Sequence, residues 1–309
     1  MRKRGAKKRL IRLLLFLFGF GLIIFFGVKN IHKNTSSNLV HPIPKQIVDS
    51  LKIQQLSKLG NVVQVALQGT HGDYGIMVKN LKTGEQYAIN EHKTFKSGSL
   101  YKLWVMAEAY DQVQQGKLNL DEDLSEDVEV LNDKFRISTD DAELTDGTIT
   151  LNVADALEQM ITISHNYAAL LLTETLELSQ IKNFLKQNNF NESTVGINGD
   201  LPTTTASDME NFLEKLYKGE LANQEYTQKM LDLLKRQQLN DKLPKYLPDE
   251  TTIAHKTGEL DNDTHDAGIV YTSKGEYIIV VLSESDSPDV ADDRIAQISK
   301  AVYEYFTKT

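Results

Sequence analysis

Strand-like patterns stand at both ends of the long C-terminal part of this chain, and helical patterns fill the middle. Gly75-Ile-Met-Val-Lys-Asn and Gln86-Tyr-Ala-Ile-Asn predict a hairpin over 73–95, turned at Lys82-Thr83-Gly84. From Leu100 to about Gln238 the apolar spacing is helical. Strands return at Thr252–Lys256, Ala267–Thr272 and Tyr277–Ser283, the last two joined by Ser273-Lys-Gly-Glu. Gln46–Leu67 and Val290–Tyr305 read as helices outside the two strand groups. A sheet must bury its apolar faces against other elements. The pattern therefore predicts an α/β fold with one antiparallel sheet built from both ends of the domain and flanked by helices. The α/β part covers 46–98 and 250–309, with an all-helical part over 99–249. Residues 46–309 are long enough to bury a substantial core.

Three short motifs fall in one order within this frame: Ser99-Leu100-Tyr101-Lys102, Ser164-His165-Asn166 and Lys256-Thr257-Gly258. The small, polar Thr94-Phe-Lys-Ser-Gly-Ser99 leads into a helical run closed by Gly116, which places Ser99 at a helix N-terminus. Backbone N–H groups are unpaired there and the helix dipole favours an anion. Lys102 follows three residues on and shares the face of Ser99. A serine hydroxyl needs a neighbouring base. A lysine can serve only if burial or a second cation lowers its pKa, and Lys256 is the candidate second cation. Ser164 and Asn166 lie between two helical stretches, Leu151–Ile163 and Tyr167–Leu176, where polar residues are otherwise caps. Lys256 and Gly258 share one face of an alternating strand, and His255 and Thr257 share the other. Each motif alone is weak; Lys82-Thr83-Gly84 repeats the third as a plain turn.

Together the motifs resemble those of class A β-lactamases and penicillin-binding proteins, from about residue 46 to the C-terminus. The resemblance implies the β-lactamase/transpeptidase-like fold, with a cleft between its α/β and helical parts. It implies that Ser99 is the acylated nucleophile, Lys102 its base, and Ser164 the proton shuttle to the leaving group. Lys256 would meet Ser164 and the substrate carboxylate. Asn166 would bind the substrate amide, and Thr257 would add a hydroxyl contact. Gly258 would leave room for the substrate backbone, and the N–H of Glu259 would complete an oxyanion hole with that of Ser99. The family most often has Asp where His165 stands, a residue that braces the loop; His165 as general base is the minor alternative.

Class A enzymes carry a Glu in the loop between the second and third motifs, to activate the deacylating water. Here that stretch is Phe190–Ser207, short and without a Glu-x-x-Leu-Asn pattern. Glu192 and Asp200 are its only carboxylates, read as solvated loop charges. Ser207-Asp-Met-Glu210 predicts a capping box at the helix that follows. Glu259–Asp266 is acidic and holds none of the arginines that many β-lactamases use for the drug's carboxylate. Both departures point away from efficient β-lactam hydrolysis and fit a D-alanyl-D-alanine-type peptidase or esterase. A β-lactam or a peptidoglycan stem-peptide-like substrate is thus expected. A non-catalytic cell-wall or β-lactam binding or sensing domain on the same fold stays open.

Residues 1–48 contain no Asp or Glu, and residues 1–45 hold ten Lys or Arg, seven of them by Arg12. Of 34 basic side chains that leaves 24 against 43 acidic ones, a net of −19 for the rest of the chain. Leu13–Val28 is apolar and uncharged; with Leu10, Ile11 and a snorkelling Arg12 it makes about 28 Å of helix. That just spans a bilayer core. The expectation is a basic tail over 1–9, facing inward, an anchor over 10–28, a stalk over 29–45 and an extracellular domain of a bacterial cell. No small-x-small site follows the run, which argues against the rival reading, a cleaved signal peptide and a secreted product. There is no cysteine, hence no disulfide framework. No Gly-rich phosphate loop or His/Cys cluster is present, so neither cofactor nor metal is expected. The acidity of the outer part makes nucleic acid an unsuitable partner. His71, His92 and His265 read as surface loop residues.

Overall fold

The computed structural model describes residues 57–196 and 200–308. The expected tail, anchor and stalk, and the first part of the helix expected from Gln46, lie outside the described residues. Among the described residues no helix is long and apolar enough to cross a membrane.

Among the described residues the first helix is α1 (Lys58–Ala66), capped by Ser57, whose Oγ accepts from Gly60 N. Strands β1 (Asp73–Asn80) and β2 (Gln86–Ile89) form the predicted hairpin. Three long strands return near the end: β7 (Ile253–Leu260), β8 (Asp263–Val270) and β9 (Tyr277–Glu284). They join the first hairpin in one antiparallel sheet of order β2-β1-β9-β8-β7. The sheet from both ends is therefore as expected. A closing helix α9 (Pro288–Lys308) begins with proline, which suits a first helical position.

Strand β9 is apolar from Tyr277 to Leu282 because both its faces are covered. Tyr277, Ile279 and Val281 pack in a core with Leu59 and Val63 of α1 and Ile295 and Val302 of α9. Ile278, Val280 and Leu282 alternate to the other face, toward the middle of the chain. There the central helix α2 (Lys102–Gln114) is buried all round from Lys102 to Tyr110. Around it lie α3 (Val128–Lys134), α4 (Val153–Thr162), α5 (Asn166–Leu176), α6 (Leu178–Gln187), α7 (Ala206–Lys218) and α8 (Gln224–Lys235).

The structure corrects four expectations. The middle is not all helical: β4 (Asp123–Asp127) and β5 (Thr148–Asn152) pair antiparallel, with Ser125 and Thr150 hydroxyls in contact at 2.8 Å. Both strands face solvent on one side, so charge masks the strand pattern. Strand β8 starts four residues before the expected Ala267, because its polar residues find partners. Asp266 accepts from Leu243 N, and the Thr264 hydroxyl donates to Asp292. His265 is not a surface loop residue but fully buried within β8. The cap of α7 is Thr205, not Ser207; Thr205 Oγ1 accepts from Asp208 N while Ser207 N is taken by Glu91 O.

Candidate active site

Ser99 lies in a single 3-10 turn, Gly98–Tyr101, that runs straight into α2. Two short strands anchor its approach: β3 (Phe95–Lys96) pairs with β6 (Thr203–Thr204), and Ser97 N donates to Pro202 O at 2.8 Å. The neighbouring β8 fastens the same stretch. His265 Nε2 donates to Lys96 O at 2.7 Å while its Nδ1 accepts from Ser283 N. That pattern demands the neutral ring, and burial accordingly lowers the His265 pKa to about 4.

Two glycines let the sheet reach the turn. Gly98 has φ +48°, and a Cβ on it would stand 2.6 Å from Glu259 N. A Cβ on Gly258 would stand 2.8 Å from Ser97 O. Neither clash can be relieved by a flexible side chain, since both partners are backbone. β7 therefore lies against the turn only because both side chains are missing. The backbone N–H of Glu259 thereby comes alongside Gly98, next to Ser99.

The three motifs meet on one hydroxyl. Ser164, between α4 and α5, takes a left-handed backbone with φ +59°, sparsely populated for serine. Its Oγ lies 2.9 Å from Lys256 Nζ and 3.2 Å from Lys102 Nζ. Lys102 Nζ also donates to Ser164 O at 2.6 Å and to Asn166 Oδ1 at 2.7 Å. Lys256 Nζ donates to Thr257 O at 2.9 Å. Both lysines are fully buried. Burial first, and then the charge of Lys256, pushes the Lys102 amine well below its ordinary pKa. Burial likewise lowers Lys256 to about 7; Lys242 adds to the fall, while Asp266 and Glu259 oppose it. A neutral Lys102 has two N–H bonds, and the two shortest contacts use both. Its lone pair is left to accept a hydroxyl proton.

Not every expected site residue is tied into this network by hydrogen bonds. The half-buried hydroxyl of Ser99 makes none among the described residues. Thr257 is buried and contributes its carbonyl. The Glu259 carboxylate turns to Lys242, a buried cation from the stretch after α8 that also faces Asp241 and Asp292. Those three carboxylates lie close enough to hold a metal ion, but Lys242 already supplies the positive charge among them. His165 takes over the bracing role: its Nδ1 accepts from Ala168 N at 3.1 Å and caps α5. Glu192 is not a free loop charge. It accepts from the Thr205 hydroxyl at 2.7 Å and pairs with His92, which fastens the start of α7.

Sequence reading missed two side chains here. His255, next to Lys256, is buried and bonds Asp266 through Nδ1 and Asn240 through Nε2. Glu143, in the polar stretch between α3 and β5, accepts from Asn166 Nδ2 at 2.5 Å. Neither periodicity nor motif spacing marks Glu143; only the fold brings it to Asn166.

Residues 57–306 match the model of the beta-lactamase enzyme family. No protein of curated function matches the chain. Among solved structures, a β-lactamase from Sphaerobacter thermophilus is 22% identical over 81% of this chain and 97% of its own, with a TM-score of 0.70. A structure of PBP-A is 23% identical over 81% of this chain and 96% of its own, also at 0.70. A class A β-lactamase from Bacteroides cellulosilyticus is 21% identical over 81% and 98%, at 0.68. At these identities the likeness to solved structures is one of fold.

Proposed function

The chain belongs to the beta-lactamase enzyme family of serine hydrolases, and from that premise we propose that Ser99 forms an acyl-enzyme with β-lactams or D-alanyl-D-alanine-like cell-wall peptides. The observation that carries this reading is the single hydroxyl, Ser164, held between two buried lysines on the wall of the Ser99 turn. In the proposed sequence, the Lys102 lone pair takes the Ser99 proton as Oγ attacks the carbonyl carbon. The oxygen that gains charge accepts from the N–H groups of Ser99 and Glu259. When the C–N bond breaks, the leaving nitrogen takes the Ser164 proton, and Lys256 replaces that proton through its 2.9 Å contact. The acyl group stays on Ser99. Among neighbours, a PBP-A mutant has been solved as an acyl-enzyme complex with penicillin-G, which supports the same step on this fold.

Deacylation is the slow step in this proposal. Water is a weak nucleophile without a positioned base, and the carboxylate of Glu192 is engaged with Thr205 and His92. Mixing the protein with a chromogenic cephalosporin should give a burst near one equivalent, then slow turnover. Adduct mass followed against time with penicillin reads the same event directly. Steady hydrolysis without a burst, at rates typical of enzymes (~10 to 10³ per second), would refute slow deacylation. A burst with no later turnover would favour a binding or sensing role over a hydrolytic one.

The reading also keeps an uncleaved N-terminal anchor over residues 10–28, with the catalytic domain outside the cell. The motive is the apolar run Leu13–Val28 after seven basic residues. Protease added to intact cells should remove the domain, and the full chain should fractionate with membranes. Recovery of a mature form lacking residues 1–28 in the medium would replace the anchor by a signal peptide.

A further inference from the structure

We propose that a cavity between α2 and α6, lined by none of the motif residues, binds a small organic ammonium ion on an aliphatic stem. The site is separate from the acyl-transfer chemistry above and stands or falls without it.

The cavity holds about 420 Å³, within the range of about 300–1,000 Å³ usual for small-molecule sites. Two of its lining side chains, Leu176 and Phe184, are buried and apolar, which suits a hydrocarbon stem. The rest of the lining is polar, and three carboxylates, Glu108, Asp111 and Glu177, stand against one cation, Lys117. Glu108 is the group that points to a ligand. It is only 6% exposed, and Gln112 Nε2 donates to its Oε1 at 2.8 Å. Its Oε2 takes no hydrogen bond among the described residues and opens on the cavity rather than on the core. A desolvated carboxylate oxygen without a donor costs free energy, which an ammonium in the cavity would recover. Lys117 does not close the account: its charge favours the ionised Glu108, but no ion pair among the described residues joins the two, and Asp111 opposes it. Burial accordingly holds the Glu108 carboxyl above its ordinary pKa. Two helices also end here. Gln112 and Gln115 close α2, and Thr175 and Leu176 close α5; the negative ends of both dipoles favour a cation. A bare metal ion fits less well. Among the described residues, the carboxylates close enough to share an ion are Asp241, Glu259 and Asp292, not these three. Separated carboxylates beside apolar side chains suit an extended organic cation.

Calorimetric titration of the full chain with spermidine reads the site, and triethylene glycol, extended but uncharged, is the control. Spermidine should saturate one site, and the glycol should give no heat of binding. Glu108→Gln keeps an oxygen for Gln112 and removes the charge, so spermidine affinity should fall roughly tenfold to a hundredfold. Asn183→Lys brings a rival ammonium into the cavity from an exposed position of α6. It should weaken spermidine at least tenfold, and it keeps the test open if Glu108→Gln does not fold. Lys117→Gln removes the opposing charge and should tighten binding about two- to fivefold. The lysine side chain in Nα-acetyl-lysine amide offers the same ammonium on the same kind of stem. The tighter of the two amines tells whether the natural ligand is a free polyamine or the side chain of a peptide. Absence of binding by both amines overturns the inference, as does equal binding of the glycol. Heat spread over many weak sites and unchanged by Glu108→Gln and Asn183→Lys overturns it too, by reducing the effect to the general acidity of the surface.

Discussion

Ser99→Ala is expected to abolish the penicillin adduct, a loss on the order of 10⁴-fold or more in acylation. Mass spectrometry of digested protein should place the adduct of the parent on the peptide that holds Ser99. The physical basis is the turn Gly98–Tyr101, which presents the Ser99 hydroxyl near the approaching Glu259 N–H, with no hydrogen bond to hold it among the described residues. No other serine of the site can replace it. Ser97 is fully buried and donates to Gly98 O, and Ser164 sits between two amines in a left-handed backbone. Lys102→Ala should lose acylation nearly as fully, because nucleophile and base act as a unit. That variant also leaves Ser164 O and Asn166 Oδ1 without the donor they share, so its folded state should be checked by circular dichroism. An adduct that persists in Ser99→Ala would remove Ser99 from the chemistry and leave Ser164 as the next hydroxyl to test.

The parts of this molecule that were legible in its sequence are those where local pattern and burial agree. The β9 run Tyr277–Leu282 has no polar interruption because both faces are covered, and it reads directly as a strand. The three motifs were legible because each needs a particular backbone: a turn into a helix, a junction between helices, an alternating strand. Elsewhere long-range pairing overrides the local pattern. Asp263, Thr264, His265 and Asp266 look like an acidic loop, yet all four are buried in β8. Their partners come from Asp292, Ser283, Leu243, His255 and the backbone of Lys96, none of them predictable from the segment itself. The helix start at Thr205 was misplaced by two residues because Ser207 also fits a capping pattern; the claim of Glu91 O on Ser207 N decides between them. Glu143 carries no local signal, since an exposed acid in an acidic loop is the commonest of surface residues. Lys242 was hidden differently: a lysine in a polar stretch reads as solvated, and only the three carboxylates gathered around it explain its burial.

Lys256→Ala is expected to slow acylation by on the order of 10²-fold or more, a few kcal/mol of transition-state stabilisation. Lys256 donates to Ser164 Oγ at 2.9 Å from full burial, so its removal takes away both the shuttle's proton source and a positive charge facing Lys102. The pH dependence tells these effects apart from simple packing. Burial holds the Lys256 pKa down at about 7. Its charged form therefore prevails below that pH and falls about tenfold per unit above it. Lys102 works in the opposite sense, because acylation needs its neutral form, which grows as pH rises; burial and the neighbouring charge of Lys256 favour that form. Acylation in the parent should thus show a falling limb near pH 7 where Lys256 loses its charge. Lys256→Arg keeps a charge that does not titrate there, so the falling limb should vanish while the rate drops partially. The drop follows from fitting a larger side chain into a closed site, which costs about 1–3 kcal/mol. Stopped-flow acylation between pH 5 and pH 9 for the parent, Lys256→Arg and Lys256→Ala measures all three behaviours. Equal rates in the parent and Lys256→Ala would take Lys256 out of the site. A falling limb that survives in Lys256→Arg would assign it to another group and leave Lys256 a packing residue of β7.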